Sequence, residues 1–234
     1  GPVPVPLPDE VLRLRSTFGA ERFGNTQSSD VAVIGDLVLD LAVAKDEPTM
    51  VGVHVHGPSD SPHPGGDPRT VLPIEAPSRA HLKLEEALAF GGGTIGPNDV
   101  VVEAGCAPGG ASLAMLRRGA RVIGIDPGDV APVLGTFGDR FTHLAMPVGA
   151  VTREMLPKRA TVLVCDVHLA PAIAIRAMRR LVAMYRASLR LFVMTLKLND
   201  RRIADDIPRL LEQLRALGPR SLVATQLPAN RQEI

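Results

Sequence analysis

Tryptophan is absent from this 234-residue chain, tyrosine occurs once, and aromatic residues amount to 3%. The core must therefore be built from Ala, Val, Leu and Ile, and a base- or sugar-stacking platform of aromatic rings is disfavoured. Cysteine is equally scarce. Cys106 and Cys165 are too few for a disulfide-stapled secreted fold, and both read as reduced thiols of a cytoplasmic chain. An excess of one charge is missing too: 26 Lys and Arg face 25 Asp and Glu, a formal net charge of +1. Any nucleic-acid contact must then come from a local patch, not from a global field. No uncharged apolar run approaches the ~20 residues that cross a bilayer. The opening GPVPVPLPDE lacks the basic-then-apolar order of a signal peptide. These absences describe a soluble, cytoplasmic protein with no membrane partner.

What is present is a 45% hydrophobic share with 22 Gly and 21 Pro. Residues 1–29 are Pro-rich and then polar, and read as only partly ordered. DVAVIGDLVLDLAVA and TMVGVHVHG, between 30 and 57, are two β-rich runs joined by KDEP as a hairpin. GPSDSPHPGGDPRT (57–70) is a linker, which divides a β-rich accessory segment (1–70) from a main domain (71–234). EAPSRAHLKLEEAL (75–88) is a helix start with Ser78 as N-cap, an apolar stripe through Leu82, Leu84, Ala87 and Leu88, and Glu85 and Glu86 for solubility. Taken alone, Lys83 is one more solvated charge on that helix.

Beyond it the pattern is regular. DVVVEAG (99–105), RVIGID (121–126), FTHLAM (141–146), TVLVCD (161–166), LFVMTLK (191–197) and SLVATQL (221–227) read as strands. ASLAMLRRG, AIAIRAMRRLVAMYRASLR and ADDIPRLLEQLRALG read as helices. Strands without polar alternation, separated by helices, predict an α/β fold: a mostly parallel, Rossmann-like sheet with helices on both faces.

Ligands of such sheets sit at the carboxyl ends of the strands. After the first strand of the domain comes Gly105-Cys106-Ala107-Pro108-Gly109-Gly110. Its glycines let the backbone approach a ligand and open the next helix with free N–H groups. The spacing is neither G-x-G-x-x-G nor a phosphate loop. Asp126, about 20 residues on at the end of the second strand, suits the two hydroxyls of a ribose. Glu103 suits a cationic amino group. A ribose, an ammonium group and no phosphate point to S-adenosyl-L-methionine.

With these residues in view, EAGCAPGGAS, IGIDPG, VCD, TLKL and the terminal RQE resemble the FtsJ/RrmJ-type ribose 2′-O-methyltransferases. More narrowly, VGVHVHGPSDSPHPGG and APSRAHLKLEEA resemble the bacterial enzymes that methylate a cytidine of large-subunit (23S) rRNA. The resemblance covers roughly 50–234. It implies a Lys–Asp–Lys–Glu tetrad falling on Lys83, Asp166, Lys197 and Glu233, with Lys197 as the base that takes the ribose hydroxyl proton. Lys83 would then be the neighbouring cation, with the two carboxylates as holders of both ammonium groups. Asp166 also borders the cofactor. The opposed effects of burial and of two carboxylates leave the sign of the lysine pKa shift open at this stage. Ala111 stands where the family commonly has an aromatic, and Pro147 where it commonly has an Asp for adenine.

RNA would be met by arginines. Arg79, Arg201 and Arg202 are the candidates for phosphates. Arg176, Arg179, Arg180, Arg186 and Arg190 read mostly as a solvated helix face. His54 and His56 share one strand face and His63 follows, yet no cysteine or carboxylate cluster completes a metal set, and methyl transfer needs none; no metal is expected. Two alternatives keep the fold: tRNA or another RNA as substrate, or an inactive methyltransferase fold that binds RNA or protein.

Overall fold

The computed structural model describes residues 32–42, 48, 50–57, 60, 70–198, 200–230 and 233–234. The Pro-rich start, most of the KDEP connection and most of the 57–70 linker, His63 included, lie outside the described residues. The chain divides into two units, Gly1–Arg69 and Thr70–Ile234.

In the first unit, β1 (Leu37–Ala42) pairs antiparallel with β2 (Met50–Val55). Period-two alternation puts Leu37, Val51, Val53 and Val55 on one face, where all four are exposed, and Val38, Asp40 and His54 on the other.

The second unit opens with α1 (Ala80–Gly91). Its N-cap is Arg79 and not Ser78, although the Ser78 hydroxyl does accept the Ala80 N–H at 3.3 Å. Five apolar runs then form β3 (Val100–Ala104), β4 (Arg121–Ile125), β5 (Phe141–Leu144), β6 (Val162–Cys165) and β7 (Leu191–Met194). All pair parallel, in the order β5-β4-β3-β6-β7. The helices that cover them are α2 (Gly110–Arg117), α3 (Pro171–Tyr185), α4 (Arg201–Asp205) and α5 (Ile207–Arg215), with a 3-10 segment at Pro132–Arg140.

The strands lack polar alternation because both faces are covered. Val101, Val122 and Val162 pack with Leu84, Leu113 and Met115 on the α1/α2 side. Val102, Ile123 and Leu163 pack with Met178, Leu181 and Tyr185 of α3 on the other. A third cluster joins Ile175 of α3 to Leu210 and Leu214 of α5 and to Leu196, one residue before Lys197.

Three further sequence expectations need correction. The predicted strand at 221–227 does not form. The place beside the chain leaving β7 is taken by the C-terminus: Leu196 and Ile234 exchange N–H···O bonds of 2.6 and 3.0 Å, and Lys197 bridges Glu233 antiparallel. The single helix expected at 204–218 is two, α4 and α5, broken at Asp206. Pro208 has no N–H to give the carbonyl four residues back, and it is tolerated only in the first turn of a new helix. Finally, Arg190 is no solvated helix charge, because it faces Asp99.

Asp99 precedes β3 and is buried. It accepts Gly96 N–H at 2.9 Å, the Thr161 hydroxyl at 2.7 Å, and Arg190 Nε and Nη2 at 3.0 and 2.5 Å. One carboxylate thus ties together the amino ends of β3, β6 and β7. Burial pushes its pKa up, but the bonds from Arg190, Thr161 and Gly96 outweigh that and hold it below the usual range. Asp99→Ala leaves these donors without a buried acceptor, so the unfolding free energy should fall by about 2 kcal/mol, read from urea midpoints.

Candidate active site

The strand order reverses at β3: β4 and β5 extend the sheet on one side, β6 and β7 on the other. That reversal opens a crevice at the carboxyl ends of β3 and β6, where ligands of open α/β sheets bind. Gly105 follows β3 and Asp166 follows β6. Their backbones touch so closely that a Cβ on Gly105, whose φ is +83°, would lie 2.5 Å from the Asp166 carbonyl oxygen. Gly109 has φ +116° and serves as the N-cap of α2, which has no side-chain cap. Gly110 lies so close to Ser78 and His81 that no side chain fits there either. The turn from Gly105 to Gly110 is therefore bare backbone at its three glycines, seated between α1 and β6.

Across this turn lies Asp126, at the end of β4. Its carboxylate accepts Ala107 N–H at 3.2 Å and Gly128 N–H at 2.8 Å. Cys106 is buried beneath the turn against Gly124, and burial drives its thiol far above the ordinary range. Cys165 is pushed up to about 12, again by burial, so neither thiol is a nucleophile near neutral pH. Glu103 is only 1% exposed and accepts the Ser112 hydroxyl from the first turn of α2. Burial raises its pKa to about 8, with Asp166 and Asp126 adding to the rise against the opposing Ser112 bond.

The four residues of the expected tetrad meet at the other side of the crevice. Lys83 Nζ lies 3.3 Å from Asp166 Oδ2 and 2.5 Å from Glu233 Oε2. Lys197 Nζ lies 2.6 Å from Asp166 Oδ1 and 2.6 Å from Glu233 Oε1. Each ammonium touches both carboxylates and each carboxylate both ammoniums, a closed ring of alternating charge. All four side chains are mostly buried. Burial pulls the Lys197 pKa down, but its bonds to Asp166 and Glu233 override this and leave it above the usual lysine range. Asp166 and Glu233 lie below theirs: burial raises both, and the lysines more than offset it.

Glu86 has a role at the site that the sequence reading missed, and Arg79, read there as a phosphate contact, has a second one. Glu86 is no solubilising charge. It is 6% exposed and accepts Ala229 N–H at 2.8 Å, while Arg79 donates to Ala229 O at 2.7 Å. Both lie on the face of α1 that carries Lys83, so the helix that presents one member of the ring clamps the segment leading to another. The spacing 79, 83, 86 is the one signal that could have shown this. Glu85 pairs with both terminal nitrogens of Arg118, fastening α1 to α2. Arg202 is 89% exposed and paired with Asp200, its own N-cap, at 2.7 Å. Arg201 opens α4 beside it.

A glycine turn after β3 with an acid across from it after β4 is a nucleoside-type site, and the comparisons make the class that of the S-adenosylmethionine-dependent methyltransferases. The 1,6-didemethyltoxoflavin-N1-methyltransferase of Burkholderia thailandensis, solved with S-adenosylhomocysteine, shares the fold at a TM-score of 0.50 and 20% identity, over 66% of this chain and 73% of that one. Residues 76–204 match the FtsJ-like methyltransferase family, and the chain belongs to it. It is similar to the "Ribosomal RNA large subunit methyltransferase M" of Methylococcus capsulatus, 36% identical over 189 residues, 76% of this chain and 51% of the relative. The protein of that name from Halorhodospira halophila is 34% identical over 174 residues, 73% of this chain and 49% of the relative. The chain spans about half the length of these curated relatives. Among the described residues, no helix is long and apolar enough to cross a membrane.

The buried Glu103 gives a pH signature. Unfolded, its carboxyl releases the proton near its ordinary 4.5; folded, it keeps it to about 8. The folded chain binds the extra proton between those values, so the Glu103 contribution to stability declines as pH rises through that window. Glu103→Gln keeps an acceptor for Ser112 and cannot ionise. Its thermal midpoint should gain on the wild type between pH 5 and pH 8; a gap that is constant with pH would count against the protonated buried carboxyl.

Proposed function

We propose that this chain is the catalytic part of an RNA ribose 2′-O-methyltransferase that acts on large-subunit rRNA at a cytidine. The observation that carries the reading is the ring of Lys83, Asp166, Lys197 and Glu233 beside the glycine turn. Support for the RNA comes from the names of the relatives, and for the cytidine from the sequence resemblance.

S-adenosylmethionine supplies, when bound, an electrophilic methyl group on a sulfonium. The turn Gly105–Gly110 would hold it by backbone, with Cys106, Ala107 and Pro108 as its wall, and Asp126 would meet the ribose hydroxyls. Asp166 borders both cofactor and ring. Glu103 supports the turn from below through Ser112, and in its protonated form it offers no charge to an ammonium. Backbone groups on one side and the Asp126 carboxylate on the other suit a nucleoside ligand.

A ribose 2′-hydroxyl is a poor nucleophile and has to lose its proton as its oxygen forms the bond to the methyl carbon. Lys197 Nζ accepts that proton when it is in the amine form. Lys83 stands as the second cation, orienting the hydroxyl and stabilising negative charge on its oxygen. Asp166 and Glu233 fix the direction of both ammonium groups through charge-assisted bonds. Arg201 and Arg202, at the start of α4 soon after Lys197, are the cations offered to backbone phosphates. Arg79 has one guanidinium nitrogen committed to Ala229 and acts first as a tether. The reaction calls for no metal, and its setting is the cytoplasm, where rRNA is made in bacteria.

Incubation with tritiated S-adenosylmethionine and undermodified 23S rRNA tests this. Wild type should label the RNA, and Lys197→Ala should lower the rate by about 10²–10⁴-fold while cofactor binding persists. Label that digests to 2′-O-methylcytidine fits the reading; bound cofactor without transfer to any RNA would sink it. Because the carboxylates hold Lys197 above the ordinary lysine range, its amine form is scarce at neutral pH. The single-turnover rate should climb about tenfold per pH unit from 7 to 9, and a flat profile would remove Lys197 as the base.

A further inference from the structure

We propose that the hairpin unit binds a divalent first-row metal ion, zinc by its donor set, through His54, His56 and Asp60. One ligand atom from each of these three residues lies within 4.8 Å of the others. The set arises from strand geometry. Residues two apart point to one face, so His54 of β2 and His56 just beyond it project together. Across the hairpin, Val38 faces His54 and Asp40 faces Gly52. Gly52 has no side chain, which leaves Asp40 free to lean diagonally and bond His54 Nδ1 at 2.8 Å. The chain then turns at Gly57, where Asp60 N–H donates to Gly57 O at 3.1 Å and Gly57 N–H to Asp60 Oδ2 at 2.7 Å. That turn supplies the carboxylate that the sequence alone did not place beside the histidines.

Two details point to a ligand and not to an ordinary polar cluster. His56 is 4% exposed and its buried Nδ1 has no hydrogen-bond partner among the described residues. An unpaired buried imidazole nitrogen destabilises the fold, and a bound cation nearby would offset that. In addition, the Asp40 bond engages His54 Nδ1 and leaves Nε2 as the free ring nitrogen. Nε2 stands 3.9 Å from Asp60 Oδ2, too far for a hydrogen bond. It is close to the roughly 3.4 Å edge of a tetrahedron with metal bonds of about 2.1 Å. A carboxylate behind a liganding histidine is the usual outer support of a zinc site, fixing tautomer and ring direction. Two imidazoles and one carboxylate suit zinc or cobalt(II), with water in the fourth position. They do not suit magnesium or calcium, which take oxygen donors. The ion would tie Asp60 back onto the hairpin, a structural role independent of methyl transfer.

The tag-free 234-residue chain, stripped with chelator and dialysed, is titrated with zinc chloride by calorimetry and with cobalt(II) chloride by visible absorption. The expected result is one ion per chain, with the absorption of tetrahedral cobalt(II) that zinc then abolishes. Asp60→Asn, a change at an exposed turn, should weaken zinc binding at least tenfold, and His54→Gln should do the same. Asp40→Asn, which leaves all three ligands in place, should weaken it about 10–100-fold. Absence of binding, or affinity unchanged in both Asp60→Asn and His54→Gln, would overturn the site. Circular dichroism of each variant shows whether a loss of binding reflects loss of the fold, and Asp60→Asn decides the matter if His54→Gln does not fold.

Discussion

The carboxyl end of the sheet depends on a balance of four charges. Two ammonium groups withdrawn from water are destabilising alone, and so are two carboxylates; alternated in a ring, each neutralises its neighbours. The raised pKa of Lys197 and the lowered values of Asp166 and Glu233 express one coupling seen from opposite sides. The ring also dictates what the rest of the chain must hold still. Lys83 rides on α1, Asp166 follows β6, Lys197 follows β7, and Glu233 is brought in by the C-terminal bridge to Leu196 and Lys197. Arg79 and Glu86 grip the Ala229 peptide from both sides, so one helix fixes two corners. Losing any corner would strand a buried charge, which is why so many tethers converge on so few residues.

The same logic shows what could be read from the sequence. Strands β3, β4 and β6 are short apolar runs ending in a glycine or an acid, and, whereas their order in the sheet comes only from the structure, their state follows from local pattern. So does the placing of Asp126 and Asp166, since a residue just after a parallel strand has only one end of the sheet to occupy. SLVATQL shows the limit. Its composition suits a strand, but a strand exists only with a partner, and the pairing after β7 goes to Glu233 and Ile234. Which of two segments takes that place is a non-local competition, invisible in a seven-residue window. Glu86 fails for a related reason: a glutamate amid helix charges reads as solvated until a peptide 143 residues away needs an acceptor. The histidines of β2 follow suit, because Asp60 joins them only through the turn that starts at Gly57.

The buried carboxyl of Glu103 separates two electrostatic regimes a few residues apart. Asp166 keeps its negative charge because two lysines answer it, and the Asp126 carboxylate accepts two backbone N–H groups. Glu103 has one hydroxyl partner and two acids for neighbours, so protonation is its lower-energy state near neutral pH. A neutral Glu103 adds no repulsion to the crevice, and its bond to Ser112 seats the first turn of α2 beneath the glycine turn. Among the described residues at this end of the sheet, the Asp126 and Asp166 carboxylates flank the turn on its two sides.

A protonated Lys197 at rest looks at odds with a base, and the ring shows how the two fit. The attraction that raises its pKa is shared between two carboxylates that Lys83 also serves. A cationic cofactor beside Asp166 would draw on the same negative charge, and a phosphate chain drawn to Arg201 and Arg202 would bring the ribose to the mouth of the ring. In the proposed mechanism the cation would weaken the hold of the carboxylate on the Lys197 proton, and before it binds that hold would keep the lysine protonated. The lysine would then give up its proton more readily as the site fills, with the ammonium still the major form at neutral pH, and the alternating ring that stabilises the empty enzyme would also time its chemistry.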